Sequence, residues 1–147
     1  METEDFQKYL KERYEDQINW YDKKSAWNQK LYRYFQWSVI ILAAITPVLV
    51  AIAPEENRWP AVTIAALVAI GTSILKTFKY QENWINYRTT CETLRKEIHF
   101  YRAGSGDYRD SEDREALFVE RVESLISREN TIWLTTQRPK EGKKSSP

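Results

Sequence analysis

The apolar residues of this chain are concentrated in two continuous stretches. Residues 34–54 contain no Asp, Glu, Lys, Arg or His, and residues 59–76 contain only one such residue, at their last position. A helix needs roughly 20 consecutive apolar residues to cross the hydrocarbon core of a bilayer, and both stretches are close to that length. Trp37 and Trp59 lie near their ends, as in the aromatic belts of membrane proteins. We therefore predict two transmembrane helices, with a pair of buried helices in a soluble bundle as the alternative.

Only a short polar connection, residues 55–58, separates the two stretches. It suffices for a tight hairpin, so both ends of the chain are expected on the same side of the membrane. Basic side chains flank the outer ends of the stretches, where the positive-inside rule places the cytoplasm. These are Lys23, Lys24, Lys30, Arg33, Lys76, Lys79 and Arg88. The sequence predicts a multi-pass protein of the inner cell membrane with both termini in the cytoplasm.

One face of the second stretch carries small side chains. They recur every four residues, which places them on one side of a helix, and a further hydroxyl falls beside them. The set is Ala61, Ala65, Ala69, Thr72 and Ser73. Such a face favours close helix packing, and it is also typical of a pore wall, so both interpretations stay open. In the first stretch Pro47 predicts a bend, because proline cannot donate the helical hydrogen bond.

Long helices are predicted on either side of the two stretches. Residues 5–33 contain neither Pro nor Gly, which predicts one helix that continues into the first span. Residues 77–101 continue the second span, and after two glycines a last helix is predicted over residues 111–136. The aromatic side chains of the first helix recur at heptad distance on two adjacent lines. Trp20, Trp27 and Tyr34 form one line, and Tyr14, Tyr21 and Phe35 with Asn28 form the other.

The last predicted helix carries an acidic residue on its apolar stripe. The stripe consists of Phe118, Val122, Leu125, Ile132 and Trp133. Glu129 interrupts it, and a carboxylate is costly to bury among apolar side chains without a partner. We therefore expect Glu129 to pair with Arg88 or Arg95 on the preceding helix.

Composition narrows the class of function. The 147 residues carry 22 Lys and Arg against 21 Asp and Glu, and this net charge of +1 does not fit a polybasic nucleic-acid binder. The single cysteine, Cys91, excludes a disulfide within the chain, and its place on the helical seam predicts a small buried residue. Because glycine-rich phosphate loops and metal-ligand spacings are also absent, we predict no enzyme, no catalytic residue, no metal and no cofactor. We predict a single domain over residues 1–136 and a disordered basic tail over residues 137–147.

Two motifs resemble those of a known family. One has the pattern W-x-x-Y-R-x-T-x-E-x-L, and the other has the pattern E-N-x-x-W. Their residues are Trp84, Tyr87, Arg88 and Glu92 for the first motif, and Glu129, Asn130 and Trp133 for the second. Together with residues 17–24, these motifs resemble a bacterial two-span family of unknown function, domain-of-unknown-function family 4231, within the SLATT superfamily. The resemblance covers residues 9–133.

This resemblance implies a two-helix membrane effector whose copies assemble into a pore, linked in many relatives to nucleotide-signalled antiviral systems. The expected fold is all-α, an integral membrane hairpin with long cytoplasmic helices that form a bundle. Expected partners are membrane lipid, further copies of the chain, and a cytoplasmic protein or nucleotide-signalling partner, but no nucleic acid. Two functions stay open. One is an oligomeric channel or pore-forming effector with a cytoplasmic regulatory bundle, and the other is a non-conducting anchor or scaffold whose cytoplasmic helices bind a protein.

Overall fold

A computed structural model describes residues 3–137 of the chain. This part is 88% helical and contains no β-strand, which confirms the all-α prediction. In chain order the elements are α1 (Glu4–Tyr9), a π-helical segment (Leu10–Tyr14), α2 (Glu15–Ile52), α3 (Trp59–Phe78), α4 (Tyr80–Ala103), a 3-10 turn (Gly106–Tyr108) and α5 (Arg114–Gln137). The predicted disordered tail lies outside the described residues, except for its first residue.

The described chain forms two compact units. The first, here called the helical body, consists of residues 3–22 and 88–137. The second, here called the hairpin unit, is Lys23–Tyr87 and contains most of α2 and all of α3. The organisation of residues 1–136 as a single domain stays a prediction.

Aromatic rings form the centre of the helical body. The ring centroid of Phe118 lies 5.6 Å from that of Phe6 and 5.3 Å from those of Tyr14 and Tyr101. These pairs are tilted or edge-to-face, the arrangements that the quadrupole of an aromatic ring favours. The same unit fully buries Cys91, Leu94, Tyr108 and Val122. Three segments far apart in sequence, α1, α4 and α5, therefore share one apolar core.

The π-helical segment explains how α1 reaches this core. Phe6 and Tyr14 are both buried, although residues eight apart point about 80° apart in a regular α-helix at 100° per residue. The wider turn of a π-helix advances by a smaller angle per residue, so the five residues of Leu10–Tyr14 return Tyr14 to the side of Phe6. The sequence pattern predicted a plain α-helix here, and this detail was wrong.

Two glycines separate α4 from α5, as the sequence predicts. Gly104 and Gly106 both have positive φ angles, 58° and 65°, which residues other than glycine adopt only with strain. The helix restart falls later than predicted, however. The prediction placed it at Ser111, whereas α5 begins at Arg114, because the Asp113 carboxylate accepts a hydrogen bond of 3.0 Å from the backbone N–H of Ala116 and so caps the first turn.

The two aromatic lines of the first helix have opposite environments. Tyr14, Tyr21 and Asn28 are buried. The other line, Trp20, Trp27 and Tyr34, is exposed, and Trp27 keeps 61% of its surface accessible. Heptad spacing alone does not distinguish a core-facing line from an outward-facing one, because both repeat at the same interval.

In the hairpin unit, α3 packs closely on α2 at Gly71. A Cβ atom built on Gly71 would lie only 2.7 Å from Cγ2 of Val39, which is closer than two non-bonded carbon atoms approach each other. Ala61, which lies between two and three helical turns before Gly71 on the same helix, is also buried. The missing side chain therefore sets how closely the two helix backbones approach, as small residues do between membrane helices.

The helix predicted to run unbroken from the second span through residue 101 is interrupted. Lys79 has φ 48° and ψ 38°, a left-handed conformation that separates α3 from α4. The Asn83 side chain donates a hydrogen bond of 3.2 Å to the Phe78 carbonyl, and its backbone N–H donates one of 3.0 Å to the Lys79 carbonyl. The side-chain bond satisfies the carbonyl of the last residue of α3, and the backbone bond is the first regular helical bond at the start of α4. Sequence periodicity missed the break because no glycine or proline marks it.

Two helical segments are long and apolar enough to cross a membrane. In the 18-residue apolar window of the first, no residue is buried, and in that of the second only 11% are. The helices of a soluble core bury their apolar surface, whereas these windows are left largely unburied by the chain itself.

The close approach at Gly71 generates a stability prediction. Gly71→Ala adds a methyl group against the stiff, β-branched Val39, so we expect the free energy of unfolding in detergent to fall by about 2 kcal/mol. The double variant Gly71→Ala/Val39→Ala removes the clash and should recover most of this loss. Thermal unfolding of the three proteins tests it, and equal losses in the single and double variants would show that the two residues do not meet.

Candidate functional site

The small-residue set on α3 is divided between two environments. Ala61 is buried and Thr72 is half-buried, whereas Ala65, Ala69 and Ser73 are exposed. The contact with α2 therefore uses another face of α3, the one that holds Gly71. Ala65, Ala69 and Ser73 form a small, weakly polar surface that the chain itself leaves uncovered, here called the small face.

Hydroxyl groups in the two apolar helices bond back to their own helix. Ser73 Oγ lies 2.8 Å from the Ala69 carbonyl, and Thr72 Oγ1 lies 2.8 Å from that of Val68. Each hydroxyl donates to the carbonyl four residues earlier, which satisfies its proton without a partner from outside. The small face is therefore compatible with an apolar neighbour as well as with water.

Pro47 is exposed and lies inside α2, which continues to Ile52. It removes the hydrogen bond that a backbone N–H at this position would donate to the carbonyl of Ala43. The bend predicted at Pro47 stays a prediction.

Charged residues of the first motif form an ion-pair network in the helical body. Arg88 lies 2.8 Å from the Glu92 carboxylate and 3.9 Å from that of Asp22. Arg95 reaches the same two carboxylates at 3.6 Å for Asp22 and 3.9 Å for Glu92. All four side chains keep roughly half of their surface exposed, so solvent screens the pairs and each adds little stability. Asp22 belongs to the segment, residues 17–24, that also carried the resemblance.

The remaining motif residues are placed as follows. Trp84 and Tyr87 are half-buried, and exposed Asn130 lines a shallow cavity of about 290 Å³ together with Arg13, Gln17 and Tyr21. The backbone positions of Glu129 and Trp133 lie in α5. Their side chains are outside the described part, so the pairing expected for Glu129 stays a prediction.

A buried carboxylate that sequence reasoning missed lies on α4. Glu97 is only 3% exposed. One of its oxygens, Oε1, accepts hydrogen bonds from the Tyr108 hydroxyl and from Nε of Arg121. Arg121 also donates from Nη1 to Asp107. Because Glu97 lies three residues after buried Leu94, its spacing was a signal that the sequence offered.

These contacts, here called the Glu97 cluster, join α4, the 3-10 turn and α5 through one carboxylate. Burial raises the pKa of Tyr108, and the hydrogen bond to Glu97 raises it further, because the phenol proton is held by an anion. The hydrogen bond that Arg121 itself donates to Glu97 is the main cause of the raised pKa of Arg121. A cavity of about 380 Å³ opens beside Glu97 and Arg121. Tyr108 and Arg121 therefore give up their protons less readily than usual. The cluster is better suited to linking the three elements than to transferring a proton.

A second ion pair ties the N-terminal segment to α5. Arg13 forms two hydrogen bonds of 3.1 Å with the Glu123 carboxylate, and the Tyr9 hydroxyl adds one of 3.0 Å. The bond from Arg13 is the main cause of the lowered pKa of Glu123, whereas burial is the main cause of the raised pKa of Tyr9. Arg13 and Glu123 remain partly exposed, so this pair is weaker than the Glu97 cluster.

Cys91 is fully buried, and its Sγ lies 3.8 Å from the Ile18 carbonyl. Burial raises the pKa of the thiol, which keeps it protonated and weakly nucleophilic. The residues that the structure describes contain no group of three His, Cys, Asp or Glu side chains that could hold a metal ion.

Taken together, the described chain is an all-α protein with two helices of membrane-spanning length and a separate helical body. The model of a family described as "protein of unknown function (DUF4231)" matches residues 16–116, which is more than half of the chain. The chain belongs to the DUF4231 family, as the resemblance predicted, and the first motif and residues 17–24 lie within the matched range. No curated protein and no solved structure matches it.

The Glu97 cluster generates a stability prediction. Arg121→Gln leaves a buried carboxylate without its cation, and we expect a loss of about 2 to 3 kcal/mol, at the low end for buried pairs because Arg121 is itself 41% exposed. The matched control Arg13→Gln breaks an exposed pair and should cost less than about 1 kcal/mol. Chemical denaturation of both variants measures the difference. Equal effects would place Glu97 in contact with solvent.

Proposed function

We propose that α2 and α3 insert into a membrane as an antiparallel pair and that the protein acts as a homo-oligomeric channel or pore-forming effector. The observation that supports membrane insertion is the low burial of the two apolar windows. No residue is buried in the first window, and 11% of the residues are buried in the second. Apolar surface of this extent is costly to leave in water, and lipid removes that cost. The cell membrane is the proposed location.

Oligomerisation follows from the size of the hairpin. Two helices cannot enclose an aqueous path, so a pore requires several copies whose weakly polar surfaces meet at an axis. The small face of Ala65, Ala69 and Ser73 is the surface proposed for that axis, because the chain leaves it uncovered and small side chains permit close approach. The helical body is the proposed regulatory part, and the proposed membership of the SLATT superfamily would connect it to a protein or nucleotide-signalling partner.

The second candidate function is a non-conducting anchor whose helices outside the membrane bind a protein. One observation favours it: Trp27 keeps 61% of its surface exposed although it lies seven residues before the first apolar stretch. An exposed tryptophan outside the apolar window is typical of an interaction surface. This function requires neither an axis nor conduction.

The axis is tested by adding bulk to the small face. Ala69→Leu places a large side chain where helix backbones are proposed to approach closely, so we expect loss of the oligomer or of ion flux. Ala69→Ser keeps the size and should retain both. Ile70→Ala changes an exposed apolar side chain on a neighbouring face and should also retain both, because lipid accepts any apolar shape.

Native mass spectrometry and flux into liposomes would be measured on the same variants. Retained stoichiometry and flux in Ala69→Leu together with their loss in Ile70→Ala would show that the axis lies on the other face. A stable oligomer without flux would favour the anchor function over the pore.

The topology is tested with a membrane-impermeant thiol label. The basic residues that flank the apolar stretches predict that both termini are cytoplasmic, so Asn57→Cys in the hairpin loop should react in intact cells and Glu112→Cys only after permeabilisation. Both positions are exposed. The wild-type chain is the control and should stay unlabelled throughout, because its only cysteine is buried. Labelling of Glu112→Cys in intact cells would reverse the assignment.

A further inference from the structure

A groove of about 350 Å³ lies in the hairpin unit where α2 meets the end of α3 and the start of α4. Its polar lining comes from all three helices. The residues used below are Tyr32, Gln36, Thr72, Lys76, Lys79 and Glu82. We call it the interfacial groove, because it lies where both apolar stretches end.

The break at Lys79 shapes this groove. A regular helix would carry the chain straight on from α3, whereas the left-handed Lys79 redirects it and places Lys79 and Glu82 in the wall of the groove. A lysine in this conformation is strained, because its Cβ is crowded by the following carbonyl oxygen. The stacked rings of Phe78 and Tyr80, 5.6 Å apart, hold the two sides of the break together.

The charged side chains that line the groove have a net positive charge. Lys76 and Lys79 contribute two positive charges and Glu82 one negative charge, which leaves a net charge of +1. The Glu82 carboxylate lies 3.8 Å from Lys79, so it is matched with that lysine. Within the described residues Lys76 forms no ion pair and no hydrogen bond. Lys76 is therefore the cation that an anionic ligand would find available.

Neutral side chains beside Lys76 add hydrogen-bonding capacity. The Tyr32 hydroxyl and the Gln36 amide can each donate to a phosphate oxygen, whereas the Thr72 hydroxyl already donates to the Val68 carbonyl and can only accept. A cation with two neutral donors is the donor set of a monoanionic phosphodiester. This donor set has too little positive charge to balance the several negative charges of a nucleoside triphosphate.

We propose that the interfacial groove binds the phosphodiester headgroup of an anionic phospholipid, with Lys76 as the main contact and with Tyr32 and Gln36 beside it. This proposal rests on the membrane insertion proposed above, but not on conduction. The two apolar stretches, residues 34–54 and 59–76, each have one end at the groove, so acyl chains can run along them while the headgroup lies at the level of Lys76. A free phosphate ion has no such apolar part and gains nothing from this position.

The test uses the full chain in nanodiscs of phosphatidylcholine alone and of phosphatidylcholine mixed with phosphatidylglycerol. Native mass spectrometry counts the phosphatidylglycerol molecules retained when the disc is stripped. Lys76→Gln should reduce retention roughly tenfold, the effect of losing one hydrogen bond to a charged group in the groove. Glu82→Gln raises the net charge of the groove and should increase retention, a change that general destabilisation would not produce.

Lys30→Gln is the matched control. It removes the same charge near the first apolar stretch, but Lys30 lies about 160° around α2 from Tyr32 and outside the groove. It should leave retention unchanged. Tyr32→Phe removes one hydroxyl without changing charge and should reduce retention, which keeps the test valid if Lys76→Gln folds poorly.

Equal losses in Lys76→Gln and Lys30→Gln would overturn the proposal in favour of nonspecific surface attraction. Inorganic phosphate, added at increasing concentration, should not displace the lipid; displacement would assign the groove to a soluble phosphate instead. A chain that enters the discs but shows no preference for phosphatidylglycerol would overturn this inference alone. A chain that does not enter the discs would overturn the proposed function as well.

Discussion

Apolar surface that the chain cannot cover by itself is the constraint on which the rest of this structure depends. No residue of the apolar window of α2 is buried and only 11% of those in the window of α3 are, and α3 approaches α2 closely at Gly71. Most of the remaining surface requires an apolar cover, because residues 34–54 offer no charge to a polar partner, whereas the small face also accepts water. Lipid and further copies of the chain satisfy this requirement, and the proposed function combines both.

Outside these windows the chain is stabilised in a different way. The helical body has its own aromatic core around Phe118, and its buried carboxylate, Glu97, is fully engaged by Tyr108 and Arg121. Among the described residues no buried side-chain nitrogen or oxygen lacks a hydrogen-bond partner. The described part of the body therefore satisfies its buried polar groups internally and has an apolar core of its own.

Strain and charge coincide at the end of α3. The left-handed Lys79 is the only residue other than glycine with a positive φ angle in the described chain, and it lies in the same groove as Lys76. Strained backbone persists where surrounding contacts compensate for it, and such positions are frequent at binding sites. The proposed lipid site therefore joins an unusual backbone conformation to a cation without a partner in the same groove.

The sequence by itself determined the helical class, the two apolar segments, the glycine turn and the family, because each is written in local composition or in spacing along the chain. It also placed Phe118 and Val122 on the buried stripe of α5. Only the tertiary structure decided which aromatic line of α2 faces the core, that Arg121 pairs with Glu97, that Arg88 and Arg95 share Asp22 with each other, and that α3 ends at Lys79. These features depend on contacts between segments far apart in sequence, and periodicity within one helix carries no information about its neighbours.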